Sequence, residues 1–273
     1  MSGARETTTA RTGAGSVTLV GAGPGAADLI TLAGARALAG ADVVLIDRLA
    51  PRELLEHTKP GTFVLDVGKA PGAHVATQDQ INDRLLAEAQ AGLRVVRLKG
   101  GDPYVLGRGG EEAAFLRAHG IEVAVIPGVT SAVAVPAAAG IPVTHRGLAT
   151  GFTVVTGHDE LGDVPVRSDH TLIVLMGVAR LESTVAALRS RGLDGATPAA
   201  VIERGFLPDQ RSTVATLDTL AGRARSIGVS NPAVIVIGDV VSLADVERED
   251  LLTSALAAGQ PAATPYLTAK ELS

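Results

Sequence analysis

Two glycine-rich segments concentrate the groups that could do chemistry. Residues 97–112 read RLKGGDPYVLGRGGEE. Gly100 and Gly101 on one side and Gly109 and Gly110 on the other let the backbone come close to a ligand. Asp102 supplies an acceptor for a hydroxyl or an ammonium group. Arg97, Lys99 and Arg108 bring positive charge to a chain whose formal net charge is −5, so an acidic ligand could be held by this local cluster. Upstream, residues 21–26 read GAGPGA and fit G-x-G-x-x-G/A at Gly21, Gly23 and Ala26. Asp47 follows at the distance of an acid that holds a ribose hydroxyl, so the pattern taken alone describes a dinucleotide cradle and an NAD-dependent oxidoreductase. A tight strand-to-helix turn without a ligand is the other reading, and Pro24 removes one N–H from the loop that would hold phosphate.

These loops need strands behind them and helices after them. Apolar, β-branched runs predict strands at Val17–Val20, Asp42–Asp47, Thr62–Val67, Arg94–Lys99 and Ile121–Ile126. Helices are expected from about Asp28, from Thr77 and over 110–119. At Thr77 a T-x-x-Q capping box precedes an apolar face of Ile81, Leu85 and Ala89, and Gly92 is the stop. Strands alternating with helices imply a mostly parallel sheet covered on both faces. The second half predicts strands at Phe152–Thr156, Thr171–Leu175, Ala199–Glu203, Ser212–Thr216 and Ala233–Gly238, with helices over 131–139, 180–191 and 217–226. The gap between the strands at 199 and 212 is too short for a crossover helix, so a hairpin and a mixed sheet are expected there. The Pro/Gly-rich stretch 127–142 is the natural junction. The expected organisation is a disordered tail over 1–15, an α/β domain over 16–127, a second over 128–246 and a tail over 247–273.

Composition closes several alternatives. The 273 residues are 46% hydrophobic and 19% charged, which supports a packed core and excludes wholesale disorder. Aromatics are 2%, too few for base-stacking platforms, and the net negative charge argues against a nucleic-acid surface. The absence of cysteine excludes disulfides, thiolate metal sites and a cysteine nucleophile. His57, His119 and His170 have no partner spacing, and no zinc pattern joins His74, His145 and His158, so no metal is expected. Residues 1–15 lack the apolar core of a secretory signal, and the uncharged run 123–144 is broken by prolines and glycines, so no membrane span is expected and the chain reads as cytoplasmic.

Several blocks occur in order: VTLVGAGPGAADLITLAG, IDRL, VGK with His74 and Gln78 nearby, RLKGGDPYVLGRGGEE, VIPGVTSA, GIPVTHRG, VTGH, LMG and PAVIVIGDVV. Together they resemble the uroporphyrinogen-III C-methyltransferases, a branch of the tetrapyrrole methylases, over about 17–241. The resemblance implies two α/β domains, a mostly parallel five-stranded sheet and then a mixed five-stranded one. The active site lies in the cleft between them, and the assembly is a homodimer. It implies S-adenosylmethionine as methyl donor, S-adenosylhomocysteine as product, and no metal. The implied donor contacts are Pro24, Gly100, Gly101, Asp102, Val105, Thr130, Ser131, Met176, Gly205 and Ala233.

The implied reaction is methylation of uroporphyrinogen III at C-2 and C-7, giving precorrin-2 for sirohaem and cobalamin synthesis. Asp47 is the implied base, Lys69 the acid or substrate-charge partner, and Arg108 a further catalytic or orienting group. Arg48, Glu111 and Arg146 are implied at the substrate, whose many carboxylates call for arginine. Arg97 and Lys99 either add to the field or form surface pairs. The sequence departs from the family pattern at Leu175, where an aromatic often stands, at Ala70 instead of Arg, and at Tyr104 and Leu106 instead of Phe-x-Phe. The dinucleotide reading, a related tetrapyrrole methylase and a non-catalytic sensor stay open at this point. No dehydrogenase–ferrochelatase or synthase block accompanies these motifs, so a stand-alone methyltransferase is expected.

Overall fold

Strand β1 (Ser16–Gly21) lies at the heart of a parallel sheet in a computed structural model that describes residues 15–68, 77–159 and 161–244. Its companions are β2 (Val43–Ile46), β3 (Phe63–Asp66), β4 (Arg94–Lys99) and β5 (Glu122–Ile126), in the order β3-β2-β4-β1-β5. Successive side chains point to opposite faces. Val17, Leu19, Val43, Leu45 and Val95 therefore pack under α2 (Gln78–Gln90) and α3 (Gly109–Ala118). Val20, Val44, Ile46, Val96 and Leu98 pack on the other face, under α1 (Leu32–Gly40) and a 3-10 turn at Arg52–His57. Burial of both faces is the reason these strands read as near-continuous apolar runs.

The local signals act as expected at α2. Gln80 N–H donates to Thr77 Oγ1 at 3.2 Å and Thr77 N–H to Gln80 Oε1 at 2.9 Å, and Ile81, Leu85 and Ala89 are buried. The helix expected from Asp28 is split. Ala27–Leu29 form a short 3-10 turn, Ile30 and Thr31 are extended, and α1 begins at Leu32. Thr31 Oγ1 accepts the Gly34 N–H at 3.0 Å. Two β-branched residues favour the extended link, and threonine is the better N-cap.

The second sheet contains β6 (Phe152–Thr156), β7 (Thr171–Leu175), β8 (Pro198–Glu203), β9 (Arg211–Thr216) and β10 (Ala233–Ile237) in the order β6-β7-β10-β8-β9. Only the β6–β7 pairing is parallel, and β8–β9 is the expected hairpin. One face packs against α4 (Ser131–Ala138), the other against α5 (Leu181–Ser190) and α6 (Leu217–Ser226). The uncharged run 123–144 thus becomes an edge strand, a turn and an eight-residue helix. Among the described residues no helix is long and apolar enough to cross a membrane. The expected tails over 1–15 and 247–273, apart from Gly15, lie outside the described residues.

At the opposite edge from the loops, Asp42 ties β2 to β4. Its carboxylate accepts from Arg94 N, Nε and Nη2 at 2.9, 3.2 and 3.1 Å, and from Lys59. Arg94 first, then Lys59 against the opposing effect of burial, holds its carboxyl well below the ordinary 3.8. A depressed folded-state pKa gives stability that is complete above the unfolded value and is lost as pH falls through the folded one. Asp42→Asn should therefore lower stability by about 1–3 kcal/mol at pH 7, the range for hydrogen bonds to a charged group. In thermal melts its deficit should close as the pH falls below about 4. A deficit that persists unchanged to pH 2 would contradict this account.

Candidate active site

In an open α/β sheet the carboxyl ends of the strands carry the ligand loops. Here the loops after β1 and β4 close on each other. Ala22 N–H donates to Lys99 O at 2.7 Å, and Gly23 and Gly101 pair through both backbone groups, at 3.3 and 2.7 Å. These contacts consume the N–H groups that a dinucleotide cradle would aim at phosphate. β4 also separates β1 from β2, so Asp47 sits two strand positions from the Gly21 loop, roughly 10 Å at ordinary strand spacing. The ribose contact behind the oxidoreductase reading is therefore not formed.

What does form is a cradle shared by both halves. Gly101 has φ +67, and a Cβ there would come to ordinary contact distance of Ser131 N and the Thr130 Cα, at 3.7 and 3.9 Å, at the start of α4. The two halves touch where Gly25 meets Gly205: a Cβ on Gly25 would lie 2.7 Å from the Gly205 carbonyl oxygen. Gly205 in turn backs onto Val135 of α4. Gly23, Gly25, Gly101, Thr130, Ser131 and Gly205 thus belong to one cleft. Pro24 lies within that loop, and Val105 N–H closes a turn onto Asp102 O at 3.3 Å. Met176 ends β7, and Ala233 begins β10 opposite Glu203; antiparallel pairing puts both at the same sheet end as Gly205. Asp102, implied as a donor contact, also works within the fold. Its Oδ2 accepts Gly128 N–H at 3.0 Å and its Oδ1 Tyr104 N–H at 2.8 Å, so it pins the loop to the entry of α4.

Asp47, Arg48, Arg108 and Glu111 follow the carboxyl ends of β2 and β4, the same sheet end as this cradle. Asp47 follows β2 with its N–H on Leu98 O at 3.0 Å, and its half-exposed carboxylate accepts Arg48 N–H at 2.8 Å. Leu49 packs against Gly100, and Arg48 is exposed and lies against Gly68. Lys69 and His74 lie outside the described residues. Arg108 adopts φ +58 and binds Glu111 with Nε–Oε2 at 3.0 Å and Nη2–Oε2 at 2.6 Å. Glu111, implied at the substrate, here holds an arginine, which keeps its carboxyl below the usual range. Both side chains are more than half exposed, so the pair is weak in water and can exchange for a ligand carboxylate. Arg146 is exposed on the turn closed by the His145–Ala149 bridge, without an ion pair among the described residues.

Arg97 and Lys99 are the correction. They are not surface pairs: their side chains are 3% and 5% exposed and meet the fully buried Glu112 of α3. Glu112 Oε1 accepts from Arg97 Nε, Lys99 Nζ and Gln78 Nε2 at 3.2, 3.0 and 3.1 Å, and Arg97 Nη2 lies 3.8 Å from Asp47 Oδ2. Burial first, then the neighbouring Arg97, pushes the Lys99 ammonium down, against the pull of Glu112 and Asp47. The sequence signal, charges at alternate positions of one strand, becomes decisive only once that strand is known to be central and covered on both faces, where such charges lie inside and need a buried partner.

Sequence reasoning also missed backbone strain. Leu106, Arg108, Met176, Arg204 and Phe206 all have φ between +49 and +65. All lie in loops that leave the carboxyl ends of β4, β7 and β8, where such conformations cost about 1–3 kcal/mol each. Met176 is also 38% exposed at the sheet end, so its side chain earns neither its conformation nor its place through core packing. Met176→Gly should therefore raise the melting temperature by roughly 2–4 °C while lowering activity. A lower melting temperature in calorimetry would mean that the strain is illusory.

Comparison with known proteins agrees with this geometry. The family model of the tetrapyrrole (corrin/porphyrin) methylases matches residues 16–221. The chain is 46% identical over 243 residues to the S-adenosyl-L-methionine-dependent uroporphyrinogen III methyltransferase of Methanosarcina barkeri, covering 86% of this chain and 95% of that one. It is 46% identical over 239 residues to the chloroplastic S-adenosyl-L-methionine-dependent uroporphyrinogen III methyltransferase of Arabidopsis thaliana, covering 85% of this chain but spanning 65% of that relative's length. The crystal structure of the Thermus thermophilus uroporphyrin-III C-methyl transferase, complexed with S-adenyl homocysteine, superposes with a TM-score of 0.70 at 43% identity, covering 83% of this chain and 93% of that one. A parallel sheet and a mixed sheet meeting at a shared glycine cradle, with this breadth of match, make the chain a member of the tetrapyrrole methylase family.

Proposed function

We propose that the chain methylates uroporphyrinogen III at C-2 and C-7 with S-adenosylmethionine, giving precorrin-2 and S-adenosylhomocysteine for sirohaem and cobalamin synthesis. The observation that carries this reading is an uncharged cradle set beside a carboxylate and two exposed arginines, Arg48 and Arg108, on loops at the same end of the first sheet. Pro24, Gly100, Gly101, Val105, Thr130, Ser131, Met176, Gly205 and Ala233 bring no cation to the cradle, and Asp102 spends its charge on backbone N–H groups. That donor set suits a ligand without phosphate, and the missing side chain at Gly101, whose φ is +67, suits close backbone approach. When bound, S-adenosylmethionine supplies a methyl group already activated by its sulfonium.

The chain's own task is then alignment and proton management. The pyrrole carbon is an enamine-like nucleophile, and as it gains a methyl group the pyrrole N–H must lose its proton. Asp47, at the carboxyl end of β2 and half-exposed, is the acceptor in this reading, with Lys69 as acid or charge partner. Arg48, Arg108 and Arg146 meet substrate carboxylates, Arg108 by exchanging Glu111 for one of them. The homodimer and the cytoplasmic setting expected from the resemblance belong to the same proposal.

The direct test is mass spectrometry of the tetrapyrrole after anaerobic incubation with S-adenosylmethionine and fresh uroporphyrinogen III. A gain of two methyl groups with S-adenosylhomocysteine formed is expected. Donor binding, read as a thermal shift, without methyl gain would point to another tetrapyrrole substrate or to a sensor. Asp47→Asn should keep the thermal shift and slow methyl transfer by about a hundredfold or more, the usual range for a general base. Arg146→Ala should raise the KM for the tetrapyrrole by roughly tenfold, the loss of one charge-assisted contact, and leave donor affinity alone. Unchanged rates or an unchanged KM would remove the respective residue from the site.

A further inference from the structure

The buried cluster beneath the site has an uneven charge pattern. Arg97 and Lys99 are both inside, while Glu112 is the one carboxylate that is fully buried with them. Its Oε1 takes all three donors, and its Oε2 is buried without a hydrogen-bond partner. The other carboxylate on Arg97 is Asp47, 3.8 Å from its Nη2, while the exposed Glu111 acts on Lys99 through space only. Two cations inside the protein are therefore balanced by one structural carboxylate and one that borders the cleft. A structural pair alone would not need the cleft residue.

We propose that Glu112 is a positioning residue of the active site. By holding Arg97 and Lys99 it limits how much positive charge Asp47 must neutralise, and so keeps the Asp47 carboxylate available to take a proton. Without the Glu112 charge, Asp47 becomes the only carboxylate among the described residues within ion-pair distance of either buried cation. Arg97 is then drawn toward it, and a carboxylate engaged in this way is a poorer acceptor. This rests on the reading of Asp47 as the proton acceptor in methyl transfer.

The charge account makes a prediction that packing does not. Glu112→Gln keeps shape and hydrogen bonding but leaves one buried cation uncompensated. It should lower kcat for tetrapyrrole methylation by about tenfold or more, with the KM for S-adenosylmethionine within about twofold of the parent. Adding Lys99→Met removes the surplus cation, and the double variant should recover kcat to within about threefold of wild type. Should Glu112→Gln alone fail to fold, the double variant, whose buried charges balance, carries the test by itself. A folded double variant with kcat as low as the single variant or lower, or a single variant with unchanged kcat, overturns the inference. Wild-type turnover separates the two levels: a wild type that methylates, combined with either of those results, overturns this inference alone. A wild type that gives no methylated product overturns the inference together with the reading it rests on.

Discussion

The close approach of three backbone segments at Gly21, Gly101 and Gly128 is the constraint on which the site depends. A Cβ at Gly128 would lie 2.3 Å from Gly101 O and 2.7 Å from the Gly21 Cα, and one at Gly21 would lie 2.4 Å from Gly128 N. All of these are backbone atoms, so no rotamer change could relieve the clash. Only glycine lets β1, the loop after β4 and the entry to α4 meet at that distance. Asp102 then fixes the junction by accepting the Gly128 N–H. Because α4 packs on the second sheet through Ala132 and Val135, this contact sets where the second sheet stands relative to the loops of the first. The cleft is thus a consequence of one three-way backbone packing and one carboxylate.

Rigid sheets leave their loops free to hold conformations that a core would not tolerate. Among the described residues, the five non-glycine ones with positive φ all sit beyond strand ends on the cleft side of the two sheets. Around them the scaffold is over-determined. Glu203, fully buried at the end of β8, accepts Arg211 Nε at 2.6 Å, Arg211 Nη2 at 2.9 Å and Ser230 N–H at 2.9 Å. Arg204, next in the chain, bonds Asp209 across the hairpin loop. Such anchoring offsets the strain at Arg204 and Phe206, and it keeps Gly205 opposite Gly25. Strain at the rim and satisfaction just behind it are two parts of one arrangement.

Much of this was legible in the residues. The Thr77–Gln80 box, the apolar triplet after it and the stop at Gly92 act locally, and local rules were enough to place α2. The β8–β9 hairpin followed from chain length alone. The start of α1 was misread because Asp28 and Thr31 are both fair caps, and the choice between them depends on where Ile30 packs. The dinucleotide pattern at Gly21, Gly23 and Ala26 was satisfied by residues that serve another purpose. Strand order decides the matter, and order is a long-range property that a short motif does not carry. The fate of Arg97 and Lys99 was hidden for a related reason: their partner Glu112 lies on another element. Only the knowledge that β4 is central would have told that they are inside.

The distribution of charge ties these observations to chemistry. A protein with an excess of acidic residues still presents exposed Arg48 and Arg108 at the carboxyl end of its first sheet, while the cradle beside them carries no free charge. A carboxylate-rich ligand and an uncharged or cationic one are thereby kept apart within a single cleft, each facing the surface that suits it. Asp47 stands at the boundary. It has one side on solvent and the other on the buried Arg97. A carboxylate wholly inside would be locked in an ion pair, and one wholly outside would have no fixed direction. Half-burial beside a cation whose charge is already shared with Glu112 gives it both an orientation and a free lone pair, which are the requirements for taking a proton from a ring held against the cradle.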